Sequence, residues 1–522
     1  MRLMRGWAIG TALVLVGVEG CELVTGFTGD ARLGNPNGTG GTSMHGSGGA
    51  GGGPACKPGT TTPCYDGPAG TEKVGTCKGG TTTCKMDGSW GACAGETTPA
   101  PADDCAAMTD NTCDGFTCGQ AMWVKDFPDN NTAKGVGVDA DGNVLVAGEF
   151  TGTINLGGST LISVGVNPDL YVAKLDPTGK HLWSKRFGGA GGQTVDALAV
   201  DAAGAVIFAG RLGQGSSIAF GGGTLTASSG EDVYVAKLDA GGNYVWAKLF
   251  SGNMAIYVAG LAVDPSGNVI AVGSFLATAD FGGGSVTSKG GFDMYVVKLA
   301  SSDGTTSWAR TFGDAAVQNG AFVAADSNGS VLVTGNGSGT VQFDSYSIDL
   351  GANPGVLGAF YARLDAFGAV AKARLLNGDA PSVAVDGSGG VFLTAYASGT
   401  VDFINGSVTG GMIKYPYVVK LDSTFSFVWG KVGYGGRRAA SDASGNVIVI
   451  DLIANSPHHL QKLDPSGNLV WDDTFGTLGT LAVARSSGRI LMAGQNQGTI
   501  DFGTGSITAP KKTDTFVVEL AP

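Results

Sequence analysis

Cysteine is missing from the whole C-terminal part of this chain: none occurs between Gly119 and Pro522, while eight of the nine crowd between Cys56 and Cys118. The long segment therefore draws no stability from covalent crosslinks and must bury a core of its own. Histidine is nearly absent, with four in the chain, and the neighbours His458 and His459 point to opposite faces of any strand, so they cannot chelate one metal together. G-x-S-x-G, H-E-x-x-H and P-loop patterns are missing, which removes the commonest hydrolase, zinc-protease and nucleotide readings. Charged residues are only 15% of the chain and the net charge is −12. A molecule without a basic face is not expected to take nucleic acid. Helical periodicity is also lacking after the first twenty residues, which excludes a helical bundle.

What the chain has is glycine, 91 of them, and a repeat of about sixty residues. The run DADGNVLVAG at Asp139–Gly148 returns from Asp201, Asp264, Asp326, Asp386 and Asp442, and in worn form from Arg485. Its turn glycines are Gly142, Gly204, Gly267, Gly329, Gly389, Gly445 and Gly488. A second run follows in each copy, as in DLYVAKLDPTGKHLWSKRF from Asp169. Each repeat thus holds four apolar runs, with Asp-x-x-Gly turns joining the first to the second and the third to the fourth. Four antiparallel strands repeated at this period predict an all-β, seven-bladed β-propeller over residues 119–522. The last copy ends on a third strand, and the missing Trp-containing fourth stands at the other end as Trp123-Val-Lys-Asp-Phe127. The ring is therefore expected to close through an N-terminal strand. Tryptophans at 123, 183, 246, 308, 429 and 471 recur once per blade, which predicts packing between blades rather than a sugar platform.

Ahead of the repeats, Arg2 and Arg5 precede an apolar run to Val18, the pattern of a secretory signal over residues 1–20. Val18-Glu-Gly-Cys21 resembles a bacterial lipobox, which implies acylation of Cys21 and a lipid anchor as the sole membrane attachment. Residues 21–55 are a Gly/Ser/Thr-rich tether. Cys56, Cys64, Cys77, Cys84, Cys93, Cys105, Cys113 and Cys118 form a cysteine-rich module at 56–118, expected to hold four disulfides in an oxidising compartment. Their connectivity is open among about 105 pairings. Asp110, Asn111 and Asp114 lie on a loop of this module and make calcium its candidate ion.

The repeat block resembles the bacterial SBBP-type β-propeller family, with the motif D-x-x-G-N-x-x-x-x-G followed by D-x-[YF]-V-x-K-L-D-x-x-G-x-x-x-W. The sixth copy departs, lacking the GT-x-x-F-GG insert that elsewhere joins the second and third strands. The resemblance implies a monomeric lipoprotein at the outer membrane or cell surface, and a non-catalytic scaffold for a protein or glycan. The alternatives are a glycan-active hydrolase or lyase, or a periplasm-facing assembly factor. Function is expected where connections vary, on the face of the inserts and blade-to-blade links. Those links carry Asn130, Gln193, Asn253, Gln318, Asn377, Tyr434, Arg437 and Arg438. The doubled arginine in an acidic chain makes an acidic ligand the leading candidate.

Overall fold

The computed structural model describes Ala12–Leu13 and residues 56–522, save 102, 106, 129–130, 190, 229, 352–357, 377, 413, 452–457, 476–479, 484–486, 497–498, 504–505 and 509–513. The expected signal and the tether with Cys21 lie almost wholly outside these residues, as do Asn130 and Asn377. Every regular element described is a strand. No helix among the described residues is long and apolar enough to cross a membrane. The chain divides into two compact units, one of residues 121–520 and one whose described part is residues 56–120.

The larger unit is a seven-bladed propeller. Blade 1 shows the plan, with strands Asn131–Val138, Val144–Phe150, Asp169–Leu175 and His181–Phe187 paired antiparallel in that order. The second and third strands are apolar on both faces because adjacent blades cover them; Asp169–Leu175 is buried throughout. The fourth is mostly half-exposed, since one side meets water.

Blade 7 is composite. Thr480–Val483, Ile490–Asn496 and Asp514–Leu520 pair in order, and Ala121–Phe127 adds the fourth strand, Val124 facing Val518. One apolar cluster then joins Leu491, Ala493 and Val517 of blade 7 to Val136, Leu145 and Tyr171 of blade 1. The ring is closed as the repeat count requires.

The repeated motif is a clasp between blades. In blade 1, Asp139 Oδ1 accepts the backbone N–H groups of Asp141 and Asn143, tightening the first turn. Its Oδ2 lies 2.8 Å from Lys174 Nζ. Lys174 also donates to Ala240 O in the last turn of blade 2, and Trp183 Nε1 donates to that same carbonyl at 3.0 Å. Lys237 and Trp246 repeat this on Ser301 O, and Lys298 and Trp308 on Ala366 O. Blade 4 carries Lys372 at the tryptophan position, and its ammonium donates to Thr424 O. At the closure, Trp123 Nε1 donates both to Pro177 O of blade 1 and to Glu519, which stands at the lysine position of its own blade. Trp471 Nε1 is buried without a partner among the described residues. The blade it faces has no hairpin between its third and fourth strands to offer the equivalent carbonyl.

The GT-x-x-F-GG inserts are two-stranded hairpins rather than open loops, for example Ser217–Ala219 with Thr224–Thr226. Their phenylalanines plug the blade: Phe220, Phe281 and Phe343 stand 5.0, 4.4 and 5.2 Å from Tyr234, Tyr295 and Phe360 of the third strands. Those aromatics lie across a second-strand glycine, and close approach dictates the residue. A Cβ at Gly210 would stand 2.8 Å from Tyr234 Oη and 1.8 Å from Thr194 O. What the sequence offered as long variable connection is therefore a regular hairpin that buries its phenylalanine, while most of its other residues are exposed.

In the smaller unit four disulfides join Cys56–Cys84, Cys64–Cys93, Cys77–Cys113 and Cys105–Cys118. They staple a segment whose only described ladder is Thr61–Cys64 with Gly80–Thr83. Crosslinks of this density belong to an extracellular or periplasmic setting.

Candidate functional site

Antiparallel order puts the Asp-x-x-Gly hairpins at one end of each blade and the inserts and blade-to-blade links at the other. On the link face the expected site residues separate into two groups. Gln193 and Gln318 are buried and spend their amides on their own links and, for Gln318, on the start of the insert. Gln318 Nε2 donates to Ser338 O at 2.7 Å, and its Oε1 accepts the Asp314 N–H at 2.9 Å. Gln193 donates to Gly189 O and Gly191 O. Asn253 is exposed, but its Oδ1 accepts the Thr278 N–H and pins the neighbouring insert. Asn131, one residue past the expected Asn130, is buried and ties Phe127 O to Thr515 N across the ring closure. These side chains satisfy backbone groups at the links, a need that sequence alone does not distinguish from ligand binding.

Tyr434, Arg437 and Arg438 do lie together, on the link into blade 6. Arg437 is exposed, while Tyr434 and Arg438 are half-buried. Arg438 opens the inner strand Arg438–Ser441, and its guanidinium sits 5.2 Å from the ring centre of Phe322, on the inner strand of blade 4. Blades 4 and 6 do not adjoin, so this contact crosses the central channel. Burial pushes the Arg438 guanidinium down to about 10, and the charge of Arg437 adds to the effect. Among the described residues no carboxylate stands within ion-pair distance of either arginine.

The opposite side of the same face is charged but self-satisfied. Arg211 lies 2.9 Å from Asp196 and 3.7 Å from Glu231, with its guanidinium over the Tyr257 ring. Glu149 accepts the Val195 N–H at 3.0 Å; burial pushes its carboxyl upward and Lys134 pulls it partly back. Positive charge lacking an internal counter-charge is thus found at Arg437 and Arg438, and an anionic group is what it can hold.

In the cysteine-rich module the carboxylates of Asp103, Asp110 and Asp114 converge, with oxygens within 4.8 Å of one another. Asn111 is not in the set, and Asp103 is the member that sequence reasoning missed. It stands seven residues before Asp110 and is brought in as its Oδ1 accepts the Thr112 N–H at 2.7 Å. Burial raises the Asp114 carboxyl, and the charges of Asp110 and Asp103 push it the same way. Three hard oxygen donors suit calcium, although Asp110 already accepts the N–H groups of Asp114 and Gly115.

No family model matches the chain. An uncharacterized WD repeat-containing protein of Acanthamoeba polyphaga mimivirus is 26% identical over 188 residues, which is 32% of this chain and 13% of that protein. The match therefore spans well under two thirds of that relative's length. Among solved structures, the quinohemoprotein alcohol dehydrogenase of Comamonas testosteroni aligns over 77% of this chain and 76% of its own, at 11% identity and a TM-score of 0.38. A protein of unknown function from Bacteroides caccae covers 60% of this chain and 94% of its own, at 12% identity and 0.35. An ulvan lyase covers 71% and 93%, at 11% identity and 0.35. These proteins differ in what their names say they do, and none of those activities passes to this chain.

Proposed function

We propose that the protein is a lipid-anchored scaffold displayed outside the cytoplasm, which takes an acidic ligand or partner at the mouth of its channel through Arg437 and Arg438. One observation carries the reading: Arg438 is half-buried, over an aromatic ring, with no carboxylate beside it among the described residues of an acidic molecule. A desolvated guanidinium without a counter-charge is costly, and a bound anion removes that cost. Arg437→Glu with Arg438→Glu is expected to abolish recovery of the partner in a pull-down. Lys180→Glu on the hairpin face is expected to leave it intact. Loss through Lys180→Glu alone would place the site on the wrong face.

Anchoring is proposed at Cys21, the cysteine left over once eight have paired. Each buried acyl methylene contributes about 0.8 kcal/mol, so lasting attachment takes more than one chain. Cys21→Ser is expected to move the protein from the membrane to the soluble fraction. Wild-type protein found soluble and unacylated by mass spectrometry would end this part of the reading.

A further inference from the structure

Blade 6 differs from the other six at four positions that share one face of its sheet. In blade 2 these are Gly210, Tyr234, Ala236 and Ala247, paired across three adjacent strands. The tyrosine lies fully buried over the glycine, beneath the insert hairpin. The same register in blade 6 holds Asp451, His459, Gln461 and Asp472. Only the seven residues 451–457 separate Ile450 from His458, against the nineteen of 213–231 between the same strands of blade 2. Where the other blades have an apolar register beneath the insert, this one has a polar cluster.

The groups are tied to one another. His459 Nδ1 and Asp472 Oδ1 are 2.8 Å apart, and Gln461 Nε2 donates to Asp472 Oδ2 at 3.0 Å. Gln461 Oε1 accepts the N–H of Gly435 at 3.3 Å, and Tyr396 Oη of blade 5 donates to Asp451. Loss of a cover would by itself explain polar residues only if they were solvated. Yet Gln461 and Asp451 are 4% and 5% exposed. The side chains of His459 and Asp472, at 34% and 31%, form the accessible edge. Buried polar groups held this way specify an arrangement rather than hydrate a surface.

We propose that this polar cluster binds, at its accessible edge, a neutral polyhydroxylated ligand, the hydroxyl face of a sugar unit. Two carboxylates disfavour an anion, and the polar lining disfavours an apolar ligand. A metal ion needs converging ligand atoms, which among the described residues are found only at Asp103, Asp110 and Asp114. Sugar hydroxyls both donate and accept. They match the accessible edge, where the Asp472 carboxylate accepts and the His459 imidazole offers an Nε2 with no partner among the described residues. The site lies next to the arginines, since Arg437 N–H bonds Ile450 O, but it does not depend on them.

The test is saturation-transfer NMR on the full-length protein with the methyl glycosides of glucose, galactose and mannose. Wild type is expected to give signal with at least one. A variant carrying Asp451→Gly, His459→Tyr, Gln461→Ala and Asp472→Ala restores the residues of blade 2 and should lose that signal. The isosteric Asp472→Asn, checked by its melting curve, should weaken binding at least about tenfold, roughly 1.4 kcal/mol. Arg437→Glu with Arg438→Glu should leave the glycoside signal unchanged. No signal from any of the three glycosides, or an undiminished signal in Asp472→Asn, overturns the proposal and leaves the arginine site to its own test.

Discussion

Trp123→Ala is expected to destabilise the propeller by about 3 kcal/mol, the low end of the usual cost of truncating a large aromatic, because Trp123 is half-buried. The effect should be at least as large as that of Trp308→Ala. Trp308 donates to a single carbonyl of the next blade, whereas Trp123 donates to Pro177 O and to Glu519 at the seam that closes the ring. Removing residues 1–127 should be more damaging still. Asp514–Leu520 then loses its partner Ala121–Phe127 and becomes an open apolar edge that invites aggregation. Thermal unfolding and light scattering of the two proteins side by side would decide the matter. Equal melting temperatures would mean that the N-terminal strand does not close the ring.

Lys298→Met should come close to this in cost. Lys298 Nζ lies 2.7 Å from Asp264 and also donates to Ala366 O of the following blade, with both side chains buried. Removing one partner of a buried ion pair leaves the other charge unpaired, at about 3–5 kcal/mol. Here it also strips a donor from an inter-blade carbonyl. Asp264→Asn in the Lys298→Met background should recover part of the loss, because the stranded carboxylate is gone. A double-mutant cycle by denaturant unfolding measures that recovery. Additive costs would show that the pair is not coupled and that the lysine acts through packing alone.

Both predictions rest on residues whose positions repeat, and repetition was the legible signal. Asp139, Lys174 and Trp183 recur in register because each blade must be joined to the next by the same means. Blade number, strand order and closure follow from counting them. The one copy without the insert was visible too, as a short run between Ile450 and His458. Polar residues at the links were visible but ambiguous. Gln193 and Gln318 look like ligand-facing amides until the structure shows them bonded to nearby backbone, whereas Arg437 and Arg438 have no carboxylate partner among the described residues.

The amino-acid sequence by itself determined the propeller, its composite seventh blade and the crosslinked character of residues 56–118, because these depend on local periodicity and on the parity of cysteines. Only the tertiary structure decided which cysteines pair, which acidic residue joins Asp110 and Asp114, and that the inserts fill the blades as plugs. It alone placed Asp451, His459, Gln461 and Asp472 on one face. Those outcomes depend on which side chains meet across strands and loops distant in the chain, and spacing along a sequence does not encode that proximity.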